Sequence, residues 1–229
     1  MWLQSPVINC KHGFSTREGG VSAGSFSTLN LGGSDDDPQL VEKNRFRALN
    51  ALQLAETKIC LLKQVHGTTV KEATVGRQEG DALVSNKNDV TLAISVADCY
   101  PVLFHDPVNS VIGAAHAGWR GTCGGIVTNT IRSMTDLGSD PHNIKVAIGQ
   151  GICQEHFEVG PEVIQQFRTS GFPEYTRTEK TIDLNACIRW QLATLSVPET
   201  NIWSMNRCTY EADFFSYRRD KGITGRMWG

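Results

Sequence analysis

The stretch "ADCYPVLFHDPVNSVIGAAHAGWRG", residues 97–121, decides how this chain folds. Two short apolar runs, 101–105 and 111–115, read as successive strands bounded by breaks. Cys99 stands at the start of the first and His116 at the end of the second. The histidine's neighbours Ala114, Ala115, Ala117 and Gly118 are small enough for another group to approach closely, whether core, metal or substrate.

Outward from this pair, strands are expected at 7–14, 58–65, 69–74, 82–85, 90–96, 144–148, 202–205 and 215–218. Asp37-Pro38 marks a helix start, an N-cap followed by an N1 proline, with Leu40, Val41, Phe46, Leu49 and Leu52 as its apolar face. A second helix carries Val127, Ile131 and Met134 and ends at Gly138. A short one covers 161–167, and Asp183 caps another through Leu184, Ile188, Gln191 and Leu195. Many strands in succession with helices on either side indicate an α+β layered fold rather than a regular βαβ repeat. With no repeat or linker in the 229 residues, one domain spanning 1–229 is expected.

Composition excludes several classes. Lys and Arg (22) nearly balance Asp and Glu (24), and the only dense basic pair is Arg218-Arg219, so no nucleic-acid partner is expected. No run reaches the ~18 apolar residues of a membrane span. The start, MWLQSPVINCKHGF, lacks a basic and apolar leader, which suggests a cytoplasmic protein with reduced thiols. Seven cysteines without a C-x-x-C pair argue against a disulfide framework or an all-cysteine zinc knuckle.

His66, Cys99 and His116 each sit where an extended run meets a break, and strand ends separated in sequence can meet at one sheet edge. Two imidazoles and a thiolate suit zinc and leave a fourth position for water or substrate. The same residues also permit a metal-free pair, Cys99 as nucleophile and His116 as base, or a plain structural zinc. Asp81 and Asp98 are the carboxylates placed to orient a histidine, although a regular strand would turn Asp98 away from Cys99. The Gly/Ser-rich stretch 12–33 with Arg17, the segment "GWRG" with Arg120, and "FFSYRRDKGITGRM" with Arg218, Arg219 and Arg226 are candidate anion sites. Strand alternation would send Arg218 and Arg219 to opposite faces, so only one could serve a given site.

The segments "HGFSTREGGVS", "KQVHGTTV", "DALVS", "ADCYPVLFHD", "AAHAGWRGT", "FEVG", "IDLNACIRWQL" and "FFSYRRDKGITGRM" resemble the YfiH-type family across nearly the whole chain. Its members are also called laccase-domain or multi-copper polyphenol oxidoreductase proteins and, in bacteria, peptidoglycan editing factor. The resemblance implies a four-layer α/β/β/α sandwich with mixed sheets, similar to the catalytic domain of cytotoxic necrotizing factor. It implies zinc held by His66, Cys99 and His116, with copper able to take the same site. It further implies phosphorolysis of adenosine, inosine and methylthioadenosine, with nucleoside and phosphate as ligands, and adenosine deamination. A separate line implies removal of L-serine from UDP-MurNAc-L-Ser. Six histidines are too few for a type-1 copper plus a trinuclear centre, so a multicopper mechanism is not expected. Where many members read close to "GPxIGPCCYEVG", this chain has "GQGICQEHFEVG", placing Gln150 and Phe157 at positions that bear on the pocket wall.

Overall fold

The computed structural model describes residues 1–32 and 35–229, so residue 33 of the glycine-rich stretch lies outside the described residues. The strands are β1 (Trp2–Leu3), β2 (Phe14–Ser15), β3 (Lys58–Lys63), β4 (Val70–Glu72), β5 (Gly76–Glu79), β6 (Ala82–Ser85) and β7 (Val90–Leu92). They continue with β8 (Ser95–Val96), β9 (Tyr100–Asp106), β10 (Val111–Ala117), β11 (Lys145–Ile148), β12 (Ile202–Ser204) and β13 (Met227–Trp228). The helices are α1 (Pro38–Ala51), α2 (Trp119–Gly124), α3 (Ile126–Asp136), α4 (Pro161–Thr169) and α5 (Leu184–Thr194).

The largest sheet has the order β12-β11-β9-β10-β6-β4 and is mixed. Its β9–β10, β10–β6 and β11–β9 pairs are antiparallel, and β11–β12 and β4–β6 are parallel. A smaller parallel sheet, β5-β3-β7, and two two-stranded sheets complete a mixed α/β architecture. Period-two alternation explains why β9 is apolar without interruption. Tyr100, Val102 and Phe104 enter the core shared with α3 and α5, while Leu103 enters the opposite core with Phe14, Phe214 and Phe215. Neighbouring strands divide likewise: Ala115 and Ala117 face the first core, and Ala114 the second.

Register then places the motif. Ala117 pairs with Tyr100 and His116 with Pro101, so the next pair along the hairpin sets Gly118 opposite Cys99. At the far end, Asp106 Oδ1 accepts the amides of Val108 and Asn109, closing the turn.

The caps lie where local chemistry puts them. Asp37 Oδ1 accepts Gln39 N–H at 2.8 Å with Pro38 at N1, and Asp183 Oδ1 accepts Ala186 N–H at 2.9 Å. Replacing Asp37 by Ala is expected to lower stability by about 1 kcal/mol, read as a shift in the urea midpoint with an unchanged slope. A null shift would show that water caps this exposed helix start equally well.

Several expected elements differ. Residues 7–14 are not a strand, and only Phe14–Ser15 pairs, with β1. The run 90–96 divides between two sheets, β7 joining β3 and β8 joining β13. Residues 215–218 are not a strand: the chain enters a turn at 217, where Arg219 draws the carbonyls of Thr209, Tyr210, Glu211 and Phe214 onto one guanidinium. In α1, Phe46 is exposed and the buried face carries Asn44, which anchors the glycine-rich stretch through Val21 N–H and the carbonyls of Thr28 and Asn30. Strand β5 has no apolar periodicity and forms by parallel pairing to β3.

Candidate metal centre

The hairpin end, the β3–β4 connection and β6 deliver the central group. One donor atom from each of His66, Cys99 and His116 lies within 4.8 Å of the others. The two imidazoles meet edge to face, with centroids 4.8 Å apart at 78°. Asp81, at the start of β6 and fully buried, organises both histidines. Its carboxylate accepts the amides of Val65, His66 and Gly67 at 3.3, 2.9 and 2.7 Å. It also accepts His116 Nδ1–H at 2.9 Å, which in the neutral ring leaves Nε2 its lone pair for a metal. His116 N–H donates to the Asp81 carbonyl at 2.8 Å. The sharp turn at His66, with φ +59, depends on these amide bonds.

Electrostatics follow from this packing. Burial raises the Cys99 thiol, but His116 and His66 outweigh it and draw the group down to about 6. Burial lowers His116, but Cys99 and Asp81 outweigh it and lift the imidazole to about 9. In the metal-free protein both shifts run toward a thiolate beside a protonated imidazole. Burial also raises Asp81, and the bonds from His116 and the loop amides override it and hold the carboxyl below its usual range.

The donors fit a metal. A thiolate and two imidazoles are a zinc or copper set. Gly118 makes room for it: a Cβ there would lie 2.9 Å from Cys99 Sγ and 3.4 Å from His66 Cδ2.

Above the three donors opens a cleft of about 620 Å³. Its wall is cationic, with Lys63, Arg77, Arg120, Arg218 and Arg226 against the single carboxylate of Asp98. Arg120 stacks over Trp119 at 4.4 Å, and Arg218 is steadied by the Glu158 carbonyl and lies 5.5 Å from the Phe157 ring centroid. Lys63 and Arg77 are the members that motif reading misses, Arg77 because β5 shows no pattern in the sequence.

Some expected site residues lie elsewhere. Arg17 does not line this cleft: Nε donates to Ser27 O at 2.7 Å and its guanidinium covers Phe215 at 4.6 Å. Amides of the loop it was expected to serve are already bonded, Gly20 to Thr28 Oγ1 and Val21 to Asn44 of α1. Asp98 orients no histidine. It adopts φ +87 and accepts Thr209 Oγ1–H at 2.6 Å and Arg218 N–H at 2.7 Å, so it positions the arginine instead. Arg219 is tied to backbone carbonyls and Asp220 and does not line the cleft. Phe157 lines the wall, whereas Gln150 is buried away from it, bonded to Ser15 O.

Among the described residues no helix is long and apolar enough to cross a membrane. A family model described as multi-copper polyphenol oxidoreductase laccase matches residues 11–229. The chain is 48% identical over 230 residues to a purine nucleoside phosphorylase of Deinococcus radiodurans, covering 99% of this chain and 90% of that protein. It is 39% identical over 225 residues to purine nucleoside phosphorylase YfiH of Escherichia coli, covering 93% and 89%. The crystal structure of YlmD from Geobacillus stearothermophilus matches with a TM-score of 0.87 at 34% identity, covering 94% of this chain and 88% of that one. With its length, its fold and its sequence all matched, the chain belongs to the multi-copper polyphenol oxidoreductase laccase family that includes YfiH and YlmD.

Proposed function

We propose that this chain is a zinc-dependent purine nucleoside phosphorylase that also deaminates adenosine, taking adenosine, inosine and methylthioadenosine in the cationic cleft. The observation that carries this reading is the His66–Cys99–His116 group opening onto an arginine-lined wall, in a chain similar end to end to proteins named purine nucleoside phosphorylase. His66, Cys99 and His116 would hold the metal, zinc by preference and copper at the same donors. A bound zinc supplies Lewis acidity and acidifies a water in its open position. Arg120 and Arg218 hold phosphate beside the nucleoside, and the rest of the cationic wall attracts it. Phe157 offers an apolar face to the base or sugar. Asp81 fixes the tautomer of His116 throughout. The work is done in the cytoplasm, where Cys99 stays reduced.

The shift of Cys99 toward thiolate and of His116 toward imidazolium, in a pair whose donor atoms lie within 4.8 Å, favours one further reading, a metal-free thiol hydrolase. One experiment separates the two. Metal content and adenosine turnover are measured before and after chelation, beside His66→Ala and Cys99→Ala. The zinc reading expects bound metal, and turnover lost at least ~100-fold on chelation and in both variants. Turnover that survives chelation and disappears on alkylation of Cys99 would sink it. Bound zinc without nucleoside turnover would transfer the site to the amide of UDP-MurNAc-L-Ser.

A further inference from the structure

A second group of soft donors lies outside the cleft, on two segments that tertiary structure brings side by side. Cys153 follows β11, His156 closes the short 3₁₀ turn Gln154–His156, and Cys208 follows β12. A parallel bridge pairs Gly151 with Cys208, and Thr209 N–H donates to Gly151 O at 3.0 Å. This register sets the Cys153 and Cys208 sulfurs 2.7 Å apart. His156 Nδ1 lies 3.1 Å from Cys153 Sγ and 3.6 Å from Cys208 Sγ. The imidazole lies flat on Tyr210, centroids 3.9 Å apart at 3°, and this stacking aims Nδ1 at both sulfurs. Cys153 N–H donates to Cys208 Sγ at 3.1 Å.

We propose that Cys153, His156 and Cys208 form a second metal site, separate from His66, Cys99 and His116, that binds a thiophilic cation of the Zn²⁺ class. Tetrahedral zinc, with bonds of about 2.3 Å to sulfur and 2.0 Å to nitrogen, spaces its ligand atoms roughly 3.5–3.8 Å apart. The Cys208–His156 separation of 3.6 Å matches that spacing, the Cys153–His156 separation of 3.1 Å widens by about 0.4 Å, and the sulfurs open by about 1 Å to receive the ion. A disulfide has no use for a third donor, whereas here an imidazole is held against both sulfurs. Cys153 and Cys208 also line a cavity together with Asn185, Arg189, Asn206 and Glu211. Cys153-x-x-His156 has the spacing of a metal half-site. Its partner Cys208 is 55 residues beyond Cys153, which hides the set from a reading by local motif.

The position gives the site a role. Both segments meet on Asp98: Ile152 N–H donates to its carbonyl at 2.8 Å, and Thr209 Oγ1–H donates to its carboxylate at 2.6 Å. Asp98 precedes Cys99 and accepts Arg218 N–H. A cation on Cys153, His156 and Cys208 therefore ties together the two loops that hold the base of the cleft, acting as a cross-link rather than as a reaction centre.

The test removes the first site and leaves the second. The full chain carrying His66→Ala and Cys99→Ser is purified in reductant, loaded with Zn²⁺ and desalted. It should retain about one equivalent of zinc per chain, and adding His156→Ala or Cys208→Ser should abolish retention. His156 is exposed, so its replacement leaves the core intact, and circular dichroism checks each variant. Co²⁺ in the same protein should show thiolate-to-metal absorption that vanishes with Cys208→Ser. The proposal is overturned if no metal is retained while both thiols alkylate freely. It is equally overturned if retention ignores the added substitutions, or if mass shows two hydrogens lost and both sulfurs blocked as a disulfide. None of these outcomes depends on nucleoside turnover.

Discussion

Asp81→Asn should destabilise the protein by roughly 3–5 kcal/mol, the cost of leaving one side of a buried charged network without its partner. Four donors converge on this carboxylate: the amides of Val65, His66 and Gly67 and the His116 imidazole. An asparagine offers one oxygen in place of two and turns an NH₂ toward the remaining donors, so at least one donor is left facing another donor inside the protein. Metal affinity should fall about 10- to 100-fold, because the same change frees the His116 tautomer and loosens the turn that presents His66. Urea unfolding with an unchanged slope and a metal titration read the two effects.

The pH dependence has a definite sign in the metal-free protein. Asp81 is held below its ordinary 3.8, so its contribution is present above that value and is lost as pH falls through the lower folded pKa. His116 is raised from 6.5 to about 9, so its contribution is complete below 6.5 and is lost as pH rises through about 9. The stability gap between wild type and Asp81→Asn should therefore be widest from about pH 4 to 6.5. A gap under about 1 kcal/mol with unaltered metal affinity would remove Asp81 from its organising role.

Gly118→Ala should weaken metal binding at His66, Cys99 and His116 at least ~10-fold while leaving the fold in place. Gly118 has φ −80 and ψ 171, a conformation open to any residue, so no backbone strain is introduced. The added Cβ instead lies 2.9 Å from Cys99 Sγ, with His66 Cδ2 at 3.4 Å on its other side. The thiol must move, and a displacement of a few tenths of an ångström matters for a donor whose bond length is set by the ion. Metal affinity should drop at least ~10-fold, while stability falls only about 1–2 kcal/mol from crowding and a poorer N-cap. Wild-type metal binding by Gly118→Ala would mean that the small residue serves chain packing alone. Substituting Ala at Gly124, where the Cβ meets only the Thr68 methyl, gives a matched control.

Much of this fold is legible from short-range signals. Continuous apolar runs at β9 and β10 mark strands buried on both faces, and Asp37 and Asp183 mark helix starts by bonding amides two and three residues on. Each signal acts within a few residues, so the sequence carries it locally. The donors His66, Cys99 and His116 are also visible as residues at strand ends, and Asp81 as a carboxylate available to a histidine.

What tertiary structure decides is every contact made across long separations. The turn entered at 217 overrides a strand-like sequence because one guanidinium satisfies four carbonyls that a ladder would otherwise have to pair. Arg17 leaves the expected anion site because Phe215, nearly 200 residues away, offers its ring. Arg77 reaches the cleft because β5 pairs with β3, and Asp98 turns to Arg218 because its backbone takes a positive φ. Cys153 and Cys208 meet through a single backbone bridge at Gly151. Thus residue type and local periodicity by themselves determined the long central strands β9 and β10, the helix caps and the available donors. Their convergence was decided by register and by buried hydrogen bonds, since a side chain's partner is set by the free energy of the whole packed chain.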